Sequence, residues 1–219
     1  MIPIKVLVPS GVLGLGFDLE ALNNGVKNNP DIISIDGGST DSGPYSLGSG
    51  TSKYSRAAIK AEWKSLMIAR KKANVPLVIG SCGTCGTNGM VDWMENITIE
   101  LAEELNQNIK IAKLYCQQEK NFIKKNFQLR KIFPLNPAPM LNDQLIEEMT
   151  NIVALAGAEQ IQECINTGAE IILAGRTTDT AIISALPLMK GANPGSSWHG
   201  AKVVECGALC STNPTSGVV

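Results

Sequence analysis

Long apolar runs are missing from this chain. No stretch approaches the roughly 20 consecutive apolar residues that a membrane-spanning helix needs, which argues against one. A charge excess is missing as well, since 19 Lys and Arg stand against 20 Asp and Glu. A net charge of −1 gives no electrostatic footprint for nucleic acid. The one dense basic stretch, Lys120 to Lys131, is interleaved with Phe122, Ile123, Phe127 and Leu129, the pattern of an amphipathic helix with a solvated basic face. Histidine occurs once, at His199, so histidine-rich metal sites are excluded and few histidine-dependent mechanisms remain. The opening MIPIKVLVPS lacks the longer apolar region and small-residue cleavage site of a secretory leader and reads as a first strand. The expected compartment is the cytoplasm, where the six cysteines would be reduced.

What is present is glycine in particular places. Four expected strands run straight into glycine- and hydroxyl-rich segments: KVLVPSGVLGLG, IISIDGGSTDSGPYSLGSG, PLVIGSCGTCGTNG and EIILAGRTTDT. In an open parallel sheet the ligand crevice lies at the carboxyl ends of the strands. Several polar loops ending there build one pocket together, so the chain reads as a binding or catalytic scaffold.

With 219 residues and 44% hydrophobic content, the chain can bury a core as a single α/β domain over residues 1–219. Strands are expected at Ile4–Pro9, Ile32–Asp36, Leu77–Gly80, Ile109–Leu114, Ile171–Ala174 and Lys202–Glu205. Helices are expected near Phe17–Val26, Tyr54–Ala73, Val91–Asn106, Glu119–Lys131, Asp143–Leu155, Ala158–Thr167 and Asp179–Lys190. The apolar stripe Ile59, Trp63, Leu66, Met67 follows helical spacing, while Leu77–Gly80 is short and wholly apolar, as buried parallel strands are. Prolines 134, 137 and 139 mark FPLNPAPMLND as a connector. Alternation of strands and helices predicts a mostly parallel sheet with helices on both faces. The ending CSTNPTSGVV reads as an interruption of a longer architecture.

Three segments carry candidate chemistry. Asp36 ends a strand, and Ser39, Thr40 and Asp41 follow in a long glycine-rich loop to Lys53, with Gly37, Gly38 and Gly43 permitting close backbone approach to a ligand. Two carboxylates among hydroxyls suit acid–base work, a polar substrate or a divalent cation; Asx turns are the alternative explanation. The loop from Ser81 through Gly83 to Gly86 and on to Gly89 precedes a helix, and its amides suit an anion, although it is neither a Walker motif nor a dinucleotide fingerprint. Cys82 and Cys85 form a CxxC there, and with Cys206 and Cys210 they raise a four-cysteine metal centre; close packing by small side chains is the competing role. In LAGRTTDTA, Arg176 suits bidentate capture of a carboxylate or phosphate, or a structural ion pair, and Asp179 has the placement of a helix N-cap.

Taken together, IDGGSTDSGPYSLGSG, IGSCGTCGTNG, TGAEIILAGRTTDTA and KVVECGAL resemble the acyclic terpene utilisation family, in the order and spacing that span Gly11 to Leu209. The resemblance implies a bacterial enzyme of acyl-CoA or small-acid catabolism, with a lyase or hydratase role, continuing past the ECGA segment. It carries over to Asp36, Ser39, Thr40, Asp41, Arg176, Asp179 and Glu205. Cys82 and Cys85 depart from the family pattern, where small residues are expected, which weakens a metal reading.

The expectation is therefore a lyase or hydro-lyase on a small carboxylate or acyl-CoA. Asp36, Asp41, Asp179 and Glu205 would be catalytic. Ser39, Thr40, Ser81, Gly83, Gly86 and Arg176 would bind the substrate, with Arg176 on its carboxylate and the Ser81–Gly86 amides on a developing enolate oxygen. No cofactor is expected, although a divalent cation is left open, and no nucleic-acid or membrane partner is expected. The alternative is a non-catalytic ligand-binding subunit that completes its site with a partner chain; a homo-oligomer is also open.

Overall fold

The computed structural model describes residues 3–38, 43–138 and 140–213. In chain order these form β1 (Val6–Leu7), α1 (Leu19–Lys27), β2 (Ile32–Asp36), α2 (Tyr45–Ser49), α3 (Arg56–Ala73), β3 (Leu77–Gly80), α4 (Asn88–Glu104), β4 (Ile111–Leu114), α5 (Lys120–Gln128), α6 (Asp143–Glu148), α7 (Ala158–Asn166), β5 (Ile171–Ala174), α8 (Ala181–Met189), α9 (Pro194–Val204) and a 3-10 turn, Gly207–Cys210. The strands make one all-parallel sheet in the order β1-β2-β3-β5-β4, as the alternating sequence pattern predicts.

Alternation along each strand divides the core. Ile33, Ile35, Leu77, Ile79, Ile171 and Leu173 face one side and pack with residues of α1, α3 and α4. Ile32, Val78, Ile172 and Ala174 face the other and pack with α7, α8 and α9. β3 and β5 are apolar throughout because both of their faces are covered. On the first side Trp63 is fully buried and donates through Nε1 to Thr98 Oγ1 at 2.9 Å, which removes the cost of burying its polar edge. Truncating it to alanine would cost about 3–5 kcal/mol.

The helices after β1, β2 and β3 lie on that first side. The chain then returns from β4 by way of α7 on the opposite side and inserts β5 between β3 and β4. Helices leaving β3 and β5 therefore diverge to opposite faces, which makes this pair a switch point of the sheet. No helix among the described residues is long and apolar enough to cross a membrane.

Three expectations are corrected. The segment expected as strand Lys202–Glu205 belongs instead to α9 and its C-cap. Asn193 accepts from Ser196 N at 3.0 Å and Pro194 sits in the first turn, so a complete N-terminal signal overrides the β-branched pair Val203–Val204. The helix expected over Asp143–Leu155 stops at Glu148. The following residues run extended because their backbone is bonded elsewhere: Ala154 N donates to Cys116 O and Ala156 N to Arg176 O. The loop expected between Asp36 and Lys53 contains the short helix α2, held when Asn151 Nδ2 donates to Leu47 O at 2.8 Å.

Candidate functional site

At the carboxyl edge, β2 ends on Asp36. Its carbonyl accepts from Leu13 N at 2.8 Å, and the next amide, Gly37 N, donates to Gly80 O at 2.7 Å. Its side chain is 4% exposed and borders a cavity of about 400 Å³ that is also lined by Gly38, Lys53, Thr84, Asp179 and Glu205. Three of the four residues expected to be catalytic thus meet at one cavity; the fourth, Asp41, lies outside the described residues, as do Ser39 and Thr40.

Burial, reinforced by the Asp179 carboxylate, pushes Asp36 well above the usual carboxylate range, against the opposing pull of the Arg176 guanidinium and the amides of Gly38 and Gly37. Its Oδ1 is buried with no hydrogen-bond partner among the described residues. A carboxyl in that position holds its proton at a pH where ordinary carboxylates have lost theirs.

Glu205 reaches the cavity from the opposite end of the chain. It follows α9, pairs with Lys202 Nζ, and its side chain is only 10% exposed. The turn after it docks on the loop after β1. Gly207, with φ +60, comes so close that a Cβ there would stand 2.9 Å from Gly11 N, and a Cβ on Gly11 would stand 2.8 Å from the Cys206 backbone. The glycines of the ECGA segment and the SGV loop are needed for this backbone-to-backbone contact.

The loop after β3 is wound through left-handed conformations, with φ +46 at Ser81 and +70 at Thr84. Such backbone costs about 1–3 kcal/mol per non-glycine residue and persists where neighbours hold it. Here Ser81 N donates to Gly175 O, Cys82 N to Ala174 O, Cys85 N to Gly83 O and Gly86 N to Cys82 O. Gly86 lets the two loops touch, since a Cβ would lie 2.3 Å from Arg176 N. Four amides of the expected anion cradle, those of Ser81, Cys82, Cys85 and Gly86, are thus bonded inside the protein. Ser81, Gly83 and Gly86 shape the crevice from behind and do not line the cavity.

Arg176 is half-buried at the end of β5. Its Nη1 donates to Gly38 O and to Ser81 Oγ, both at 3.2 Å. One guanidinium thereby ties the loops after β2, β3 and β5. The cation that lines the cavity is Lys53, whose amide donates to Thr84 Oγ1 at 3.1 Å.

Sequence reasoning passed over Lys53, Tyr54, Thr84 and Glu62. Glu62 on α3 accepts from Gly14 N at 2.6 Å and so fixes the loop that supplies Gly11, Val12 and Leu15 to the cavity. The only available signal was the glycine-rich GVLGLG itself, which asks for something to hold its amides.

Cys82 and Cys85 are fully buried, and burial followed by the nearby Asp36 and Cys116 pushes the Cys82 thiol well above its ordinary value. Cys206 and Cys210 are exposed, and none of the four is in a disulfide. Among the described residues no three His, Cys, Asp or Glu side chains are gathered to hold a metal ion.

Fold and site together define a doubly wound α/β protein with an acid-lined cavity at the ends of its parallel strands. The chain belongs to the acyclic terpene utilisation family: the model of the family described as acyclic terpene utilisation family protein AtuA matches residues 46–211. That match takes in the Ser81, Arg176 and Glu205 segments and begins after Asp36. Neither the curated proteins nor the solved structures give a match.

Proposed function

We propose that the chain is an acid–base enzyme that adds to, or eliminates from, a small carboxylate or its acyl thioester, in the manner of a lyase or hydro-lyase. One observation carries the reading: Asp36, buried and raised in pKa, stands at a cavity wall beside Asp179 and Glu205. Carboxyl groups whose environments differ divide naturally into an acid and a base. Asp36, neutral, donates a proton to the departing group. Asp179 or Glu205 removes one next to the carbonyl. Lys53, at the same cavity, meets the anionic end of the substrate in the place first expected for Arg176.

A second reading has its own support. Four of the six amides of the Ser81–Gly86 loop are bonded inside the protein, which reduces the donors this chain can offer a developing enolate oxygen. A ligand-binding subunit that draws those donors from a partner chain fits this.

Solvent exchange tests both. A panel of hydroxyacyl-CoAs, enoyl-CoAs and small dicarboxylates is incubated with the protein in D2O, and deuterium incorporation is read by mass spectrometry. The proposal expects deuterium next to the carbonyl of at least one compound through concerted elimination and re-addition, a cycle that needs the acid as well as the base and is lost in Asp36→Asn. Ligands that bind in thermal shift without exchange, until a second polypeptide is added, establish the subunit reading. Equal exchange by Asp36→Asn removes Asp36 from the chemistry.

A further inference from the structure

From Lys120 to Asn142 the chain carries five cations and no acid, within a protein of net charge −1. Helix α5 opens this segment. On it Ile123 and Phe127 are half-buried, whereas Phe122, Lys125 and Leu129, its C-cap, are exposed. Those three stand three and four residues apart, so they share one outward stripe. A basic helix whose outward stripe holds a phenylalanine and a leucine is more than the solvated face its sequence suggests.

The same character continues past the helix. Arg130, at φ +54, ends α5, and its amide donates to Phe127 O at 2.9 Å. Pro134 and Pro137 then exclude both a helix and an inner strand. With no element to carry them inward, Phe133 is 73% exposed and Leu135 and Met140 are each 87% exposed. Side chains so bare have almost no protein against them, so they project as apolar tips and do not line a groove. Large apolar groups gathered in water mark an interaction surface. The cations among them are uncommitted as well. Lys124 pairs with Glu147, and Lys120 Nζ donates to Glu147 O at 2.6 Å. Lys125, Arg130 and Lys131 are exposed and have no ion pair among the described residues.

We propose that α5 and the connector after it dock on an anionic lipid surface. Phe133, Leu135 and Met140 enter the headgroup layer, and Lys125, Arg130 and Lys131 lie beside the lipid phosphates. Charge selects this occupant, because a run of cations without an acid complements a negatively charged leaflet. Shape selects it too. A fluid interface yields to projecting tips, whereas a folded protein would need a separate pocket for each. Lysine and arginine suit the boundary, with apolar stems along the lipid and charged heads in water. The attachment is peripheral, since no helix among the described residues can cross a membrane. The cavity at the strand ends plays no part, so this proposal stands apart from the acid–base reading.

Vesicle co-sedimentation of the full chain tests it. The wild type should pellet with vesicles of phosphatidylcholine and phosphatidylglycerol in equal parts. It should stay in solution with phosphatidylcholine alone, and pelleting should weaken as salt is added. Each cation at an anionic surface strengthens binding about fivefold, so the triple variant Lys125→Gln/Arg130→Gln/Lys131→Gln should bind about a hundredfold more weakly. Leu135→Ser/Met140→Ser should lose about tenfold or more. Every substituted side chain is exposed, so both variants should melt with the wild type. A wild type that stays in solution with the anionic vesicles overturns the proposal, and that arm needs no variant. Equal pelleting with the neutral vesicles, or undiminished binding by the triple variant, overturns it as well. Self-association in sedimentation velocity that Leu135→Ser/Met140→Ser abolishes, without vesicle binding, assigns the patch to a second copy instead.

Discussion

Gly207 meets Gly11 backbone to backbone, which brings the end of α9 onto the loop after β1 and sets Glu205 at the cavity. Neither glycine touches a ligand-facing surface by a side chain; together they fix where a carboxylate stands. Gly207→Ala places a Cβ against that backbone at a φ that alanine resists. A loss of about 1–3 kcal/mol is expected, read as a lower melting temperature, together with weaker binding of any ligand that needs Glu205. Unchanged melting would show that the turn has room to shift.

The stability of the protein should report on Asp36 through pH. Its folded pKa is raised above the unfolded value, so its contribution is fully present below the unfolded value of about 3.9 and is lost as pH rises through the folded pKa. Asp36→Asn, which cannot ionise, should flatten that decline. At pH above the folded pKa the variant should be the more stable by about 1–3 kcal/mol while losing proton exchange. Urea melts of both proteins from pH 4 to 9 check the crossing.

Arg176→Ala removes two hydrogen bonds that join three loops. A loss of about 2–4 kcal/mol is expected, because bonds from a charged donor are each worth about 1.5–3 kcal/mol and part of the gap is refilled by water. The guanidinium also opposes the upward push on Asp36, so its removal should raise the Asp36 midpoint further. A melting temperature equal to wild type, with ligand affinity abolished, would return Arg176 to the substrate.

Thiol chemistry should separate the cysteines by position. Cys206 and Cys210 are exposed, whereas Cys82, Cys85, Cys116 and Cys164 are buried; burial, with Cys164 next, pushes Cys116 up to about 11. Thiolate character and access together control reaction. An aromatic disulfide reagent at pH 8 should label two thiols quickly and the other four only on unfolding. Fast labelling of a residue in the CxxC would mean that the loop after β3 opens readily.

Much of this was legible in the sequence because strands and their ends leave local marks. The wholly apolar Leu77–Gly80 and Ile171–Ala174 declared buried parallel strands, and the glycine-rich segments after them marked the edge where the cavity lies. Asp36, Asp179 and Glu205 met at one cavity as strand-end logic required, even though Glu205 arrived by helix rather than strand. What the sequence withheld was direction. Whether the Ser81–Gly86 amides face solvent or the neighbouring carbonyls depends on the touch between Gly86 and Arg176, a contact between loops 90 residues apart. Lys53 and Glu62 were missed for the same reason, since nothing near them in the chain distinguishes them from surface charges.

The insertion of β5 between β3 and β4 has a consequence for how the molecule comes into being. Chains emerge from synthesis amino end first, and β3 and β4 are complete long before Ile171–Ala174 appears. Until then the β5 side of β3 is an unpaired strand edge, open to any passing partner. Asp179 follows β5 closely, so the last strand to enter the sheet closes that vulnerable edge and brings Asp179 to the cavity, which Glu205 completes later in the chain. A nascent chain halted before residue 171 would expose a sticky edge and possess no site.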